Sequence, residues 1–225
     1  MDSFQLPLFP LRTVLFPGGV LPLRIFEVRY LDLIGRCYRE GAPFGVVCMT
    51  LGSEVRQPPR DASLATDKDF EPEAFHAVGT LAQIVELEQV QPGLMLLRCT
   101  GGRRFRLQKS EQLKHGLWVG DASWLPDDPP VPVPPDLAYV QLALQRLVQH
   151  MQATASPADP LPLLTPYRWD DCDWVANRWS EILPVSAQLK QQFMMLENPL
   201  VRLELVADLL ERLKIVQPPV SGPGQ

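Results

Sequence analysis

The chain is poor in the short patterns that carry catalysis. No Gly-Lys dipeptide occurs anywhere in its 225 residues, so the GxxxxGK(S/T) loop that cradles nucleotide phosphates is absent. GxGxxG, HExxH and GxSxG are absent as well, which removes the local signatures of dinucleotide binding, zinc peptidases and α/β-hydrolases. Only three histidines are present, His76, His115 and His150. They are far apart and none has another histidine at helical spacing, so a histidine metal site is not expected. The four cysteines, Cys37, Cys48, Cys99 and Cys172, form no CxxC pair. They read as semi-buried free thiols of a reduced intracellular chain. No catalytic residue, metal or cofactor is expected.

Positive charge is also scarce, with 21 Lys and Arg against 26 Asp and Glu and a net charge of −5. That balance gives no general pull toward nucleic acid or an anionic membrane, although a local basic patch stays open. No apolar run approaches the length of a transmembrane helix. The first residues, Met1-Asp2-Ser3-Phe4, lack the basic and apolar regions of a signal peptide, so a cytoplasmic location is the expectation. Glycine is too sparse, at 14 residues, and too irregular for a collagen-like repeat.

What is abundant is proline. The 24 prolines make up roughly 11% of the chain, about twice the usual ~5%. Pro7, Pro10, Pro17 and Pro22 interrupt short apolar pieces in a way that suits strand ends and edges. Residues 27–39 then form an amphipathic helix, with Leu31, Ile34 and Tyr38 inward, Arg29, Asp32, Arg36 and Arg39 off that line, and Gly41 as its stop. Residues 44–51 read as a buried strand. Residues 52–74 read as a long polar loop. Strand character returns over residues 78–90, with Leu81, Val85 and Leu87 on one face and Ala82, Ile84, Glu86 and Glu88 on the other. Gln91-Pro92-Gly93 turns the chain into residues 94–99. Gly101-Gly102 is expected to make a further turn, followed by strands at 103–107 and 117–124.

Pro129, Pro130, Pro132, Pro134 and Pro135 favour an extended, semi-rigid spacer. Beyond it the period becomes helical. Leu137, Val140, Leu144, Leu147 and Met151 share one helix face. Val175, Trp179 and Ile182 share another, behind Asp170, Asp171 and Asp173. Leu189, Phe193 and Leu196 follow, and Leu203, Val206, Leu210 and Leu213 face inward on the last helix. Ser186 and Asn198 are N-cap candidates, and Pro199 fits the first helical position. The expected division is a β-rich part at 1–125, a linker at 126–135, a helical part at 136–217 and a loose tail at 218–225.

Three constellations invite a functional reading. Ser186 and Lys190 have the spacing of a Ser–Lys dyad, but the cap role of Ser186 accounts for it. Asp170, Asp171 and Asp173 lack the glycine and distal glutamate of an EF-hand loop and serve more simply as partners of a helix dipole. Arg103, Arg104 and Arg106 flank Phe105 in a basic cluster that could grip phosphates while Phe105 stacks a base. A strand with one solvated face is the simpler account.

Taken in order, Leu6-Pro7-Leu8-Phe9-Pro10-Leu11, Val14-Leu15-Phe16-Pro17-Gly18, Ile25-Phe26-Glu27-Val28-Arg29-Tyr30, Phe44-Gly45-Val46-Val47, Val78-Gly79-Thr80-Leu81, Gly101-Gly102-Arg103-Arg104-Phe105 and Asn198-Pro199-Leu200-Val201-Arg202-Leu203 resemble the N-terminal, substrate-binding domain of the Lon protease family. The stand-alone bacterial form of that domain is the nearer likeness. The resemblance implies an α+β fold: a PUA-like β-pseudobarrel with one early helix, then a C-terminal helical bundle. It also implies a non-enzymatic polypeptide-recognition module, an adaptor or chaperone-like factor, because the ATPase and Ser–Lys peptidase parts of Lon are not expected here. Its partners would be unfolded or partly folded polypeptides, or a dedicated protein partner. Phe70 and Phe75, flanking the long loop, are candidate contacts for exposed apolar segments. The alternative is RNA binding through the barrel and Arg103, Arg104 and Arg106, which the acidic balance disfavours.

Overall fold

The computed structural model describes residues 3–54, 72–155 and 163–217. The chain has a mixed α/β fold that divides into two compact units. One is Met1–Asp127 with Val185–Gln191, and the other is Asp128–Pro184 with Gln192–Gln225.

In the first unit the elements run β1 (Ser3–Leu11), β2 (Val20–Ile25), α1 (Val28–Glu40), β3 (Phe44–Leu51), β4 (Ala74–Gln91), β5 (Leu94–Gln112) and β6 (Trp118–Trp124). The strand order is β2-β5-β4-β3-β1-β6, and β6 also pairs with β5. The sheet therefore closes on itself through β5, leaving β2 outside the ring and paired, among the described residues, with β5 alone. β1 and β3 are parallel, with Leu8 opposite Gly45, and all other pairs are antiparallel. A parallel pair needs a crossover of a dozen or more residues, and β2 with α1 supplies it.

The expected turn at Gly101-Gly102 does not exist, because both glycines lie inside the 19-residue strand β5. The glycine is needed for a different reason. The loop after β1 presses against the strand, with Gly18 N donating to Gly101 O at 2.8 Å and Gly101 N to Gly19 O at 2.9 Å. A Cβ at Gly101 would lie 2.0 Å from the Phe16 carbonyl oxygen. The Gly93 turn, by contrast, forms as expected, at φ +82°.

Two apolar clusters fill the unit. One joins Phe9, Leu11, Ile25, Tyr30, Leu33, Ile34, Phe44 and Leu97. The other joins Leu6, Leu8, Val47, Phe105 and Ala122. Helix α1 ends where expected, at Gly41 in the left-handed region (φ +64°), its N–H returning to Cys37 O and Tyr38 O. Its inner face is shifted from the expected one: Tyr30, Leu33, Ile34 and Cys37 are buried, while Tyr38 is 51% exposed. In β4, Ala82 and Ile84 point inward, Val85 is exposed, and Leu87 again packs on the core. An irregularity in the β4–β5 register between Ile84 and Glu86 explains the change, since one extra residue exchanges the two faces of a strand.

The second unit holds a single 3-10 turn (Pro135–Leu137), α2 (Ala138–Thr154), α3 (Cys172–Ile182) and α5 (Pro199–Arg212). α4 (Ala187–Met195) starts in the span that groups with the first unit. The caps follow their chemistry. Asp171 accepts from Asp173 N, Ser186 Oγ from Leu189 N, and Asn198 from Leu200 N and Val201 N. α3 differs most from expectation. Cys172 through Ser180 are all buried, so it is enclosed on every side rather than on one face. Trp179 Nε1 donates to Val140 O of α2 at 3.0 Å. On α2, Val148 takes the inward place expected of Leu147. α5 ends at Arg212, short of the expected end near Val216, so that Leu213, expected inward, is its exposed C-cap. The proline-rich stretch does not run free: Cys172 N donates to Val131 O at 2.8 Å and Val133 N to Asp170 O at 3.0 Å. Among the described residues no helix is long and apolar enough to cross a membrane.

Candidate functional site

The outer side of β2 faces a groove of about 400 Å³. Leu21 and Leu23 of β2, Phe9 and Leu11 of β1, Tyr30 of α1 and the connecting Phe26 give it an apolar lining. Its floor is rigid. The Phe9 and Tyr30 rings stack at 3.9 Å between centroids, 21° from parallel, and the Arg29 guanidinium sits 4.5 Å from the centroid of the Tyr30 ring. Its lip is not covered: Phe26 is 48% exposed, and Val28, next in the chain after the lining Glu27, is 74% exposed. Arg24, Glu27 and Glu54 supply the polar rim. The site thus combines an apolar trough with an end strand, the two features used to hold extended polypeptide.

Arg29 fixes the rim. Its side chain is 5% exposed, with Nε 3.2 Å from Glu27 Oε2, Nη1 3.4 Å from Glu73 Oε1, and Nη1 donating to Gly116 O at 2.8 Å. Glu73 Oε2 also accepts from Trp118 Nε1 at 2.5 Å and from Gln112 Nε2 at 3.4 Å. On the far side, Glu54 accepts from the backbone N–H of Arg12, and the Arg12 guanidinium donates to Gly52 O. A Cβ at Gly52 would lie 3.2 Å from Pro72 O, so the chain positions on either side of residues 55–71 come together. The helical pattern set Arg29 among the solvent-facing residues. An arginine next to a glutamate inside an otherwise apolar stretch was the signal for its buried role.

The residues singled out from sequence fall in different places. Phe70 lies outside the described residues. Phe75 is in β4, half-buried, its ring edge-on to Trp118 at 5.2 Å and packed on the second apolar cluster. The three arginines do not form one surface. Arg103 pairs with Asp127 at 3.0 Å and lies 4.9 Å over the Trp124 ring. Arg104 is buried and donates to Pro126 O, while Arg106 is exposed opposite Val78 and Ser123. All four cysteines are free and buried. Burial pushes the Cys99 thiol up to about 12 and the Cys172 thiol to about 11, so neither supplies a thiolate nucleophile near neutral pH. Among the described residues no cluster of three His, Cys, Asp or Glu could hold a metal ion.

A densely bonded side chain in the second unit is that of Arg202, 1% exposed. Its Nη1 is 2.7 Å from Asp173 Oδ1 and 2.8 Å from Asp128 Oδ2, and it donates to Asn177 Oδ1 at 3.2 Å. Its Nε donates to Phe193 O at 2.9 Å and its Nη2 to Leu196 O. Two carboxylates share one cation here. Desolvation raises Asp173 to about 6, outweighing the pull of Arg202, and a hydrogen bond to Asp128 adds to the rise. These bonds organise α3, α5 and the proline-rich stretch, and they leave the site without an open face for chemistry.

The chain is similar to known proteins along nearly its full length. The family model for the ATP-dependent protease La (LON) substrate-binding domain matches residues 5–212. The crystal structure of a Lon N-terminal domain protein from Xanthomonas campestris superposes with a TM-score of 0.66 at 30% identity, covering 91% of this chain and 98% of that one. The N-terminal domain of a Mycobacterium avium complex Lon protease shares the fold at a TM-score of 0.58 and 13% identity, covering 92% of this chain and 98% of that one. Lon protease of Anaeromyxobacter dehalogenans is 27% identical over 212 residues, 92% of this chain and 23% of that protein. Lon protease of Flavobacterium johnsoniae is 30% identical over 106 residues, 47% of this chain and 11% of that protein. The chain thus spans a quarter or less of the length of these curated relatives. With nearly all of its residues accounted for by one model, the chain belongs to the LON substrate-binding domain family.

Proposed function

We propose that the chain is a non-enzymatic recognition module that binds extended, apolar segments of unfolded or partly folded polypeptides in the groove beside β2. The observation that carries this reading is the exposed aromatic Phe26 at the lip of a trough whose floor holds the Phe9–Tyr30 stack, with the exposed Val28 two residues further along the chain. A rigid apolar floor lowers the ordering cost of binding, and an exposed aromatic is a natural anchor. The family's description as substrate-binding supports the same reading. We read the closed sheet as a PUA-like β-pseudobarrel and the helices of the second unit as a bundle. We assign the module an adaptor or chaperone-like role in the cytoplasm, and retain Phe70 and Phe75 as further candidate contacts.

The test is fluorescence anisotropy of a labelled, permanently unfolded client such as reduced and carboxymethylated lactalbumin. Saturable micromolar binding is expected, weakened at least about tenfold by Phe26→Ser and Val28→Ser together. Both positions are exposed, so the variant should keep the wild-type unfolding midpoint. No binding by the wild type, or full affinity in the variant, rejects this reading.

A further inference from the structure

The second unit carries a groove unrelated to the one beside β2. It measures about 330 Å³ and is lined by Pro130, Val131, Pro132, Tyr167, Trp169 and Asp170. Its aromatic wall is held in place. The Tyr167 and Trp169 centroids are 5.0 Å apart, and both rings pack on the buried Trp174, at 5.8 and 4.9 Å. Gln152 Nε2 donates to the Tyr167 hydroxyl at 3.1 Å. The opposite wall is held by the bonds from Cys172 N to Val131 O and from Val133 N to Asp170 O. Rings fixed in this way need no further ordering when a ligand arrives.

Two features define what fits. Trp169 is half-buried and its indole N–H has no hydrogen-bond partner among the described residues, so the wall offers a donor beside apolar ring faces. The charge at the rim is negative. Arg168, its cation, is engaged by both Asp171 at 3.2 Å and Asp173 at 3.4 Å, whereas the Asp170 side chain accepts, among the described residues, from a neutral amide alone, Gln141 Nε2, at 3.4 Å. A proline-rich chain in polyproline II form presents apolar rings and strong carbonyl acceptors, lacks backbone donors at its prolines, and enters the site already ordered.

We propose that this groove docks a proline-rich polypeptide segment of a partner protein, in polyproline II form, with an arginine or lysine beside its prolines. The prolines lie on Tyr167 and Trp169, a peptide carbonyl accepts the Trp169 indole N–H, and the basic side chain meets Asp170.

The test uses the full chain and a fluorescein-labelled decapeptide of alternating proline and leucine with a terminal arginine. Saturable binding is expected. Trp169→Ala should weaken it at least about tenfold. Trp169→Phe, which keeps an aromatic face without the N–H, should weaken it less. Asp170→Asn should weaken it and flatten its dependence on salt. Far-UV circular dichroism and the unfolding midpoint check that each variant is folded. Equal binding of a control peptide with glycine in place of proline overturns the assignment, as does unchanged affinity in Trp169→Ala. If the peptide binds only a chain shortened to residues 1–217, the occupant is the chain's own segment with Pro218, Pro219 and Pro223, and an external partner is ruled out. Binding of the unfolded client through Phe26 and Val28 is read separately, so the two sites succeed or fail independently.

Discussion

Glycines 101 and 102 are neighbours in sequence and opposites in consequence. At Gly101 an added Cβ would sit 2.0 Å from a backbone oxygen, that of Phe16, which is itself tied to the strand through the Gly18 and Gly19 hydrogen bonds. Backbone on both sides cannot give way as the end of a flexible side chain can. Gly101→Ala is expected to destabilise the protein by about 3 kcal/mol or more. At Gly102 the added methyl meets nothing nearer than Leu81 Cβ at 3.5 Å, an ordinary contact, so Gly102→Ala should change stability by less than about 1 kcal/mol. Urea unfolding of the two variants side by side checks this. Similar losses at both positions would mean that the pair is retained for strand flexibility and not for the close approach of the Phe16 loop.

Helix ends follow from local chemistry, and each can be removed singly. Asn198 Oδ1 accepts from two of the first free N–H groups of α5, and Ser186 Oγ from one at the start of α4. Asn198→Ala and Ser186→Ala should each cost about 1 kcal/mol, measured as a shift in urea midpoint at unchanged slope. The same locality explains what could be read from the sequence. The end of α1, the start of α5, the whole of β3 and the turn at Gly93 depend on a few adjacent residues, and they were legible. By contrast, α5 stops at Arg212, short of the Val216 that its apolar period suggested. The Gly101 strand and the register irregularity at Ile84 depend on contacts more than sixty or about a dozen residues away, and local pattern gave no hint of them. Helix faces were displaced by about one position in α1 and α2 because half-buried residues such as Leu31 and Leu147 count as apolar without being core. In the candidate site, Phe26 and Glu27 stood out only as parts of a family-like stretch. Their groove needs β1, β2 and α1 brought together, and the buried roles of Arg29 and Arg202 arise only when distant carboxylates converge. Burial of an arginine is the outcome that residue type predicts least well.

At the scale of the whole molecule, the Arg202 site couples stability to pH. Asp173 titrates at about 6 in the folded chain against 3.8 for a free carboxyl. Between those values the folded state holds a proton that the unfolded state has lost. This contribution to stability is therefore fully present below about pH 4 and disappears as pH rises through 6, leaving a penalty of about 3 kcal/mol at higher pH. Asparagine at this position mimics the protonated acid: its carbonyl can accept from Arg202 and Asn177, and its amide can donate to Asp128. The stability of Asp173→Asn relative to wild type should consequently rise by about 2–3 kcal/mol between pH 4 and 6 and then level off, because carboxylates remote from the Arg202 site cancel in the comparison. Arg202→Met removes the shared cation and leaves Asp128 and Asp173 facing each other in a buried site, at a cost of about 3–5 kcal/mol at pH 8. At pH 5 one proton between the two acids relieves much of that repulsion, so the loss should be smaller there. Urea unfolding at pH 5 and pH 8 measures both differences. A cost for Arg202→Met that is the same at the two values would show that the guanidinium acts mainly through its bonds to Phe193 O and Leu196 O, and that the two carboxylates do not compete for its charge.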